Sequence, residues 1–500
     1  MSEEKSSYRQ IMKSTSLFGG VQVFNILISI IRSKFIAVLL GPSGMGIAGL
    51  LLSTTNMIGS VTNFGLSTSA IKNVAEANGT GDSKRIGTIV AVIKKLVWIT
   101  GLLGTVVTFI LAPVLSNLTF GNTDYTVAFR WVSVTLLLGQ ISSGRMVLLQ
   151  GMRKLQFLAK SSIIGSVLGL LLSVPVYYWL GAKGIVPALI ITAGISFSLS
   201  YYFTSKIAIS KVRVSVATVK LEGAGMLKMG FMLSMSGMIG MATGYILSIF
   251  ISRFGGVDQV GLYNAGFAIV NTYVGMIFTA MVTDYFPRLS AVSNDNASST
   301  KLVNQQAEIG ILIIAPILNL FMVFINAVVI ILYTAKFLAI TGMIQYVALG
   351  IFLKTVSWSM GYMILAKGDT KIFFYSELLA NIYIMLINML FYKTYGLDGL
   401  GISFFVCYIL GVIQGYAILH WKYQFKFEKS FYRVFTVQFV LIVICFLFVH
   451  FYKDAIRYVI TMPIIIAATI FSLLELNKKL DVVKFIRNKI KSKKTNWNNL

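Results

Sequence analysis

Fourteen apolar stretches of bilayer-spanning length follow one another along the chain, centred near residues 28, 57, 100, 137, 168, 194, 239, 272, 318, 352, 382, 410, 441 and 466. In lipid every backbone N–H and C=O has to be satisfied within the protein, which leaves helices or a closed barrel; stretches of this length select helices. With 56% hydrophobic and 12% charged residues, the sequence excludes an ordinary soluble core. The expected fold is therefore an all-α polytopic membrane protein with about 14 transmembrane helices.

A net charge of +26 would suggest nucleic acid in a soluble chain. Here it reads as cytoplasmic loops and a basic tail on anionic lipid, with no nucleic-acid partner. With the N-terminus inside, about 29 Lys and Arg residues fall on the cytoplasmic side. Only Lys183, Arg253, Lys336, Lys393, Lys453 and Arg457 fall on the other. That bias favours an even number of spans and both termini in the cytoplasm. The polar N-terminus precedes an apolar run too long for a signal peptide, so the first span is expected to be retained. In the tail, Leu480, Val483, Ile486 and Ile490 share one side among lysines, the pattern of an amphipathic anchor on anionic lipid.

The organisation expected is two six-helix lobes, residues 1–204 and 225–422, joined by a cytoplasmic linker at 205–224. Two extra helices at 423–476 and the tail at 477–500 complete the chain. A sequence echo supports the division: Gly41-x4-Gly46 recurs as Gly256-x4-Gly261. Each copy follows the first helix of its lobe. Because both lobes start from the cytoplasm, the repeat is parallel.

In the first span, Gln22, Asn25, Ser29 and Arg32 share one side of a helix that is otherwise apolar or small. Arg32 lies about 13 Å from the helix end by helical rise. A cation at that depth costs about 2.5–3.5 kcal/mol on insertion scales and ordinarily faces water or a partner. The next span repeats the pattern with Ser53, Asn56, Ser60, Asn63 and Ser67. Two such stripes describe either the wall of a hydrated chamber or a seam of interhelical hydrogen bonds; Arg32 favours the chamber. Gly230, Ser234, Gly237, Met241, Gly244, Ser248 and Ser252 form a small-residue face that fits a packing seam or a cavity wall equally.

Lys354, near the middle of its span with Gly350, Ser357 and Gly361, is too deep to snorkel and is the second site candidate. Lys34, about 160° around the helix from Arg32 and closer to the interface, reads as a snorkelling residue. Arg145 and Arg130 bracket the fourth span, and either lines the chamber or sits at an interface. Asn264 and Asn271 stand seven apart in the eighth span, with Asp284 at its cytoplasmic end. No carboxylate lies at a midplane. The deepest, Glu308 and Glu377, are about 6–9 Å in from the cytoplasmic side and, with Asp284, are the candidates for gating or coupling. Cys407 and Cys445 sit in apolar runs, and His420 and His450 at distant helix ends, so neither a disulfide framework nor a metal site is expected. Cations without matching acids suit a ligand that brings its own negative charge, such as phosphate or pyrophosphate. Arginine suits it best, because its planar fork holds two oxygens at once. Asn, Gln and Ser suit hydroxyl-rich sugars.

The segments Lys34–Ala48, Phe120-Gly-Asn-Thr-Asp-Tyr125, Tyr285-Phe-Pro-Arg-Leu-Ser290, Lys336-Phe, Leu353-Lys354 and Gly361–Lys367 resemble those of O-antigen translocases. These are Wzx-type flippases of the polysaccharide transporter family in the MOP superfamily. The resemblance runs from about residue 13 to 422. It implies a MOP/MATE-like pair of six-helix bundles around a central cavity that opens alternately to each side. The implied cargo is an undecaprenyl-pyrophosphate-linked oligosaccharide crossing the bacterial inner membrane, with no cofactor, and with other glycan-assembly proteins as possible partners. Members with twelve helices lack the last pair found here; lipid II flippases have fourteen.

Three other classes compete. A MATE-type cation/drug antiporter needs an intramembrane carboxylate, and Arg32 stands where an acid would be useful. A membrane enzyme, such as a polymerase or glycosyltransferase, usually needs larger extramembrane loops than these. A scaffold in a glycan-assembly complex is compatible with any of these roles.

Overall fold

The computed structural model describes residues 2–210, 212–452 and 456–480, and among them every regular element is helical. In chain order these are α1 (Ser2–Asn63), α2 (Leu66–Gly79), α3 (Ser83–Ile110), α4 (Ala112–Phe120), α5 (Thr126–Gly151), α6 (Leu155–Leu180) and α7 (Ile185–Ser205). They continue with α8 (Val216–Gly255), α9 (Val257–Ala291), α10 (Asn296–Val323), α11 (Ile325–Leu332) and α12 (Thr341–Ala366). The last three are α13 (Thr370–Tyr423), α14 (Lys429–Phe451) and α15 (Ile456–Leu480). Eleven helical stretches are long and apolar enough to cross a membrane, and three of them, of 44, 51 and 54 residues, are twice the necessary length. Each of these three breaks near its middle at a glycine, at Gly41, Gly181 and Gly396. Divided at those breaks, the described residues offer fourteen helical segments of membrane-crossing length, and all fourteen centres read from the sequence fall inside one of the eleven stretches.

The breaks have a common chemistry. Gly41 (φ 66°, ψ −167°) and Gly396 (φ 59°, ψ −136°) take backbone angles that a side chain disfavours, so the helix reverses there without a loop. Gly181 (φ 56°, ψ −135°) repeats the angles of Gly396. Gly256 (φ 85°, ψ 171°), between α8 and α9, is close to those of Gly41. Gly41 and Gly256 stand the same 215 residues apart as Gly181 and Gly396, and as Ser43 and Asp258, which touch. The echo in the sequence is thus one of two, and both are written in backbone geometry.

Contacts divide the chain into two compact units, Met1–Ala265 with Ile331–Phe337, and Gly266–Ile330 with Leu338–Leu500. The first therefore holds α8 beside α1–α7. In this unit a core of Leu66, Ala70, Val92, Ile93, Val147 and Met226 joins α2, α3, α5 and α8 at the end nearer the N-terminus. At the opposite end the two echoed turns interlock. A Cβ on Gly46 would overlap the Val257 carbonyl oxygen, one on Gly261 would overlap that of Pro42, and the Ser43 hydroxyl bonds the Asp258 carboxylate. Lys34, expected to snorkel, donates to the Tyr333 carbonyl at this end instead.

In the second unit α10 lies against α12, α14 and α15, and α12 against α13. The first helix after the linker begins earlier than expected, at Val216. Ser215 caps it by accepting from the Thr218 N–H, and Gly223 lies against Leu96. Residues 481–500, which contain most of the predicted amphipathic tail, lie outside the described residues.

Candidate functional site

The polar surface of the first unit is built on α7. Thr192, Ser196, Ser200 and Thr204 recur every fourth residue and so share one face. Each hydroxyl donates to a carbonyl of its own helix: Thr192 to Ala188 at 2.7 Å, Ser196 to Thr192 at 3.1 Å, Ser200 to Phe197 at 2.8 Å and Thr204 to Ser200. A hydroxyl has one proton, so what it offers outward is an acceptor. Arg32 Nη2 donates to Thr192 Oγ1 at 3.4 Å, and Arg145 Nη1 to Thr204 Oγ1 at 3.2 Å. Ser142, one turn before Arg145, donates to the Ser196 carbonyl at 3.0 Å and ties α5 to α7. The Arg145 guanidinium lies over the Tyr201 ring at 4.4 Å and the Phe197 ring at 5.9 Å.

Both arginines are half-buried, neither forms an ion pair among the described residues, and Arg32 Nε is buried with no acceptor. The hydroxyls fix the two cations in place without cancelling their charge. The sequence singles out both arginines but not the α7 stripe. Its signal, four small hydroxyl residues at a spacing of four, is present yet resembles ordinary polar dilution of an apolar helix.

The other first-unit candidates separate. Asn25 belongs to a seam: its amide donates to Ser162 at 2.8 Å and accepts from Ser166 at 2.7 Å, joining α1 to α6. Gln22, Ser29 and Asn56 are exposed, and Ser60 is half-buried. Asn63 donates to Ser67 at 3.2 Å, and Ser67 meets Ser143 at 2.9 Å, a chain that leads across to α5. The small-residue face of α8 is packed at its two ends and open between them. At one end Gly230 lies on Gly65, where a Cβ would come within 2.6 Å of the Phe64 carbonyl. At the other, Ser248 and Ser252 are buried. Between them Gly237, Gly240 and Gly244 face open space.

An apolar cavity of about 670 Å³ opens beside the start of α7, walled by Ile47, Leu51, Trp131, Pro187, Ile190 and Ile191. Lys183 is the one charged side chain in its lining.

In the second unit Lys354 lines a cavity of about 370 Å³ between α12 and α13. Its ammonium is 5.6 Å from the Phe278 ring centre and 5.7 Å from that of Tyr408, with no ion pair among the described residues. Glu377, Asn381, Gln414 and Tyr383 line the same space, so the structure brings two sequence candidates, Lys354 and Glu377, to one cavity. It separates the rest. Asn271 is exposed, Asp284 forms an exposed pair with Arg288 one turn on at 3.1 Å, and Glu308 is buried and bonded to Lys479.

Comparison with known proteins places this architecture. Over 387 residues the chain is 22% identical to the lipid III flippases of Escherichia coli (strain K12) and Shigella flexneri, covering 75% of this chain and 90% of theirs. Among solved structures, the lipid II flippase MurJ in an inward closed conformation superposes with a TM-score of 0.67. It is 11% identical and matched over 94% of this chain and 99% of that one. A multidrug resistance MATE family transporter of the MOP superfamily, inward-facing, gives 0.63 at 16% identity, over 79% and 94% of the two chains. At such identities the likeness establishes the fold, which flippases and drug exporters share. The profile of the polysaccharide biosynthesis protein family matches residues 35–342, more than half of the sequence, and the chain belongs to that family.

Proposed function

We propose that the protein is a flippase that carries a polyprenyl-pyrophosphate-linked oligosaccharide across the bacterial inner membrane by alternating access, as a transporter and not an enzyme. The observation that carries this reading is the pair of half-buried guanidiniums, Arg32 and Arg145, held by neutral hydroxyls with no carboxylate in contact among the described residues. Such a site attracts an anion and repels a cation. Pyrophosphate supplies the charge, and the arginine fork matches its oxygens. The apolar cavity beside Trp131 suits a hydrocarbon chain, and the Asn, Gln and Tyr side chains around Lys354 suit sugar hydroxyls. The lipid III and lipid II flippases to which the chain is similar favour a lipid-linked cargo. An O-antigen or related surface-glycan unit is the cargo we assign, with both termini in the cytoplasm.

The alternative, a cation/drug antiporter on the same fold, requires an acid to exchange against cationic cargo. Glu377 shares a cavity with Lys354, whereas Glu308 lines another cavity and is bonded to Lys479 there. Complementation of strains lacking defined glycan flippases, scored by which surface glycan returns, tests the proposal. Arg32→Ala is expected to abolish export with membrane insertion intact, and Arg32→Lys to rescue it in part. Full export by the alanine variant, or extrusion of cationic dyes that it leaves unchanged, would overturn the reading.

A further inference from the structure

We infer that α7 carries two separate anion stations, at Arg32 and at Arg145, and that Thr192 and Thr204 are the positioning residues that aim them. The inference rests on the proposal that the cargo bears a pyrophosphate. Thr192 and Thr204 are twelve residues apart, about 18 Å along the helix. That is far beyond the span of one pyrophosphate, so the two arginines cannot grip the same group together. Thr204 is one residue from the end of α7, at the end of the unit nearer the N-terminus. Thr192 is well inside the helix, toward the Gly41 turn. A pyrophosphate that enters from the N-terminal side therefore meets Arg145 first and Arg32 second.

Two observations make each arginine a station and not a structural cation, and a third applies to Arg145. A guanidinium has five N–H donors, and one hydrogen bond to a side chain is made by each, to Thr192 or Thr204. The Tyr201 ring covers the flat face of Arg145, which stabilises the cation while leaving the donors at its edge available. Each threonine has already committed its proton to its own helix, so it presents only a lone pair to the arginine. An aspartate in its place would hold the arginine equally well and neutralise it. The threonine orients the charge and preserves it. Between the stations, Ser196 and Ser200 keep the α7 face small.

The test is titration of the purified full chain, in nanodiscs of zwitterionic lipid, with inorganic pyrophosphate followed by calorimetry. Two sites per chain are expected. Arg32→Gln and Arg145→Gln should each leave one, and the double variant none. Thr204→Val, which keeps the shape and loses the acceptor, should weaken the Arg145 station at least tenfold. Thr204→Ser should retain it, which separates positioning from packing, since the serine lacks the methyl group and keeps the oxygen. A single site lost in both arginine variants, or a Thr204→Val variant that binds like the parent chain, would overturn the inference. Two sites in a protein that restores no surface glycan would leave the stations standing and remove the proposed function instead.

Discussion

Lys354 sits in a cavity with two aromatic rings near its ammonium and no ion pair among the described residues. Lys354 is half-buried, and a cation partly withdrawn from water with no acid beside it carries a desolvation cost that an apolar side chain of like volume avoids. Lys354→Met is therefore expected to leave the thermal melting temperature in detergent unchanged or raised, while glycan export falls at least tenfold. A lowered melting temperature with export intact would make Lys354 a structural residue. The opposite logic applies at the loop between α12 and α13. Asp369 accepts from the Tyr423 hydroxyl and pairs with Lys422 at 3.0 Å, and these contacts hold its carboxyl below the usual range. A carboxyl lowered on folding contributes stability that is present above its unfolded pKa and disappears as the pH falls through the folded value. Relative to the parent chain, Asp369→Asn should lower the melting temperature at pH 7, and the gap should narrow as the pH falls below the reference carboxyl value near 3.9. A gap independent of pH would assign the effect to packing.

At the scale of elements, the interlocked turns at Gly41 and Gly256 are where the two copies of the echo meet inside the first unit. Each glycine five residues after its hinge touches the residue following the other hinge, Gly46 against Val257 and Gly261 against Pro42. If the proposed transport cycle opens this end, the contact has to part. Joining Ser43→Cys to Asp258→Cys with a short bis(methanethiosulfonate) cross-linker, which forms a disulfide to each thiol with loss of sulfinate, should then block export, and reductant should restore it. Export by the joined protein would show that the turns stay closed throughout.

The same elements show what was legible in the sequence. The fourteen spans were, because hydropathy reports lipid directly. The hinges were legible in part, since the glycine echo locates two of them and the Gly181/Gly396 pair carries the same offset without an obvious motif. The short helices α2 and α4 were not. Gly65 breaks the chain before α2, and α4 ends at Gly121, both by backbone angle, with little change in hydropathy. Nor could spacing tell Asn25, bonded into a seam, from Arg32, which keeps free donors. A period of three and four identifies a face of a helix and says nothing of what covers it.

At the scale of the molecule, the last two helices are where the sequence repeat ends, yet they are integral to the second unit. The face of α10 that includes Val303, Ala307, Ile311, Leu318 and Met322 is buried, and α14 and α15 are among the helices against it. Two acids fasten the start of α14 and the end of α15: Glu475 on α15 pairs with Arg433 on α14, and Glu308 on α10 pairs with Lys479. Lys479 also donates to Ser430 at 2.9 Å. Glu308 is then occupied in holding α15 to α10, which argues against using its proton to drive transport. Glu308→Gln keeps the shape and a hydrogen-bond acceptor for Lys479 but loses the charge, at a cost of about 1.5–3 kcal/mol for a charged hydrogen bond. The expected result is a lower melting temperature with export per folded molecule unchanged. A coupling residue would give the reverse, a stable protein whose export no longer responds to pH or to the ion gradient. Glu377, which shares a cavity with Lys354 instead of bonding a lysine, is where that reverse result is expected.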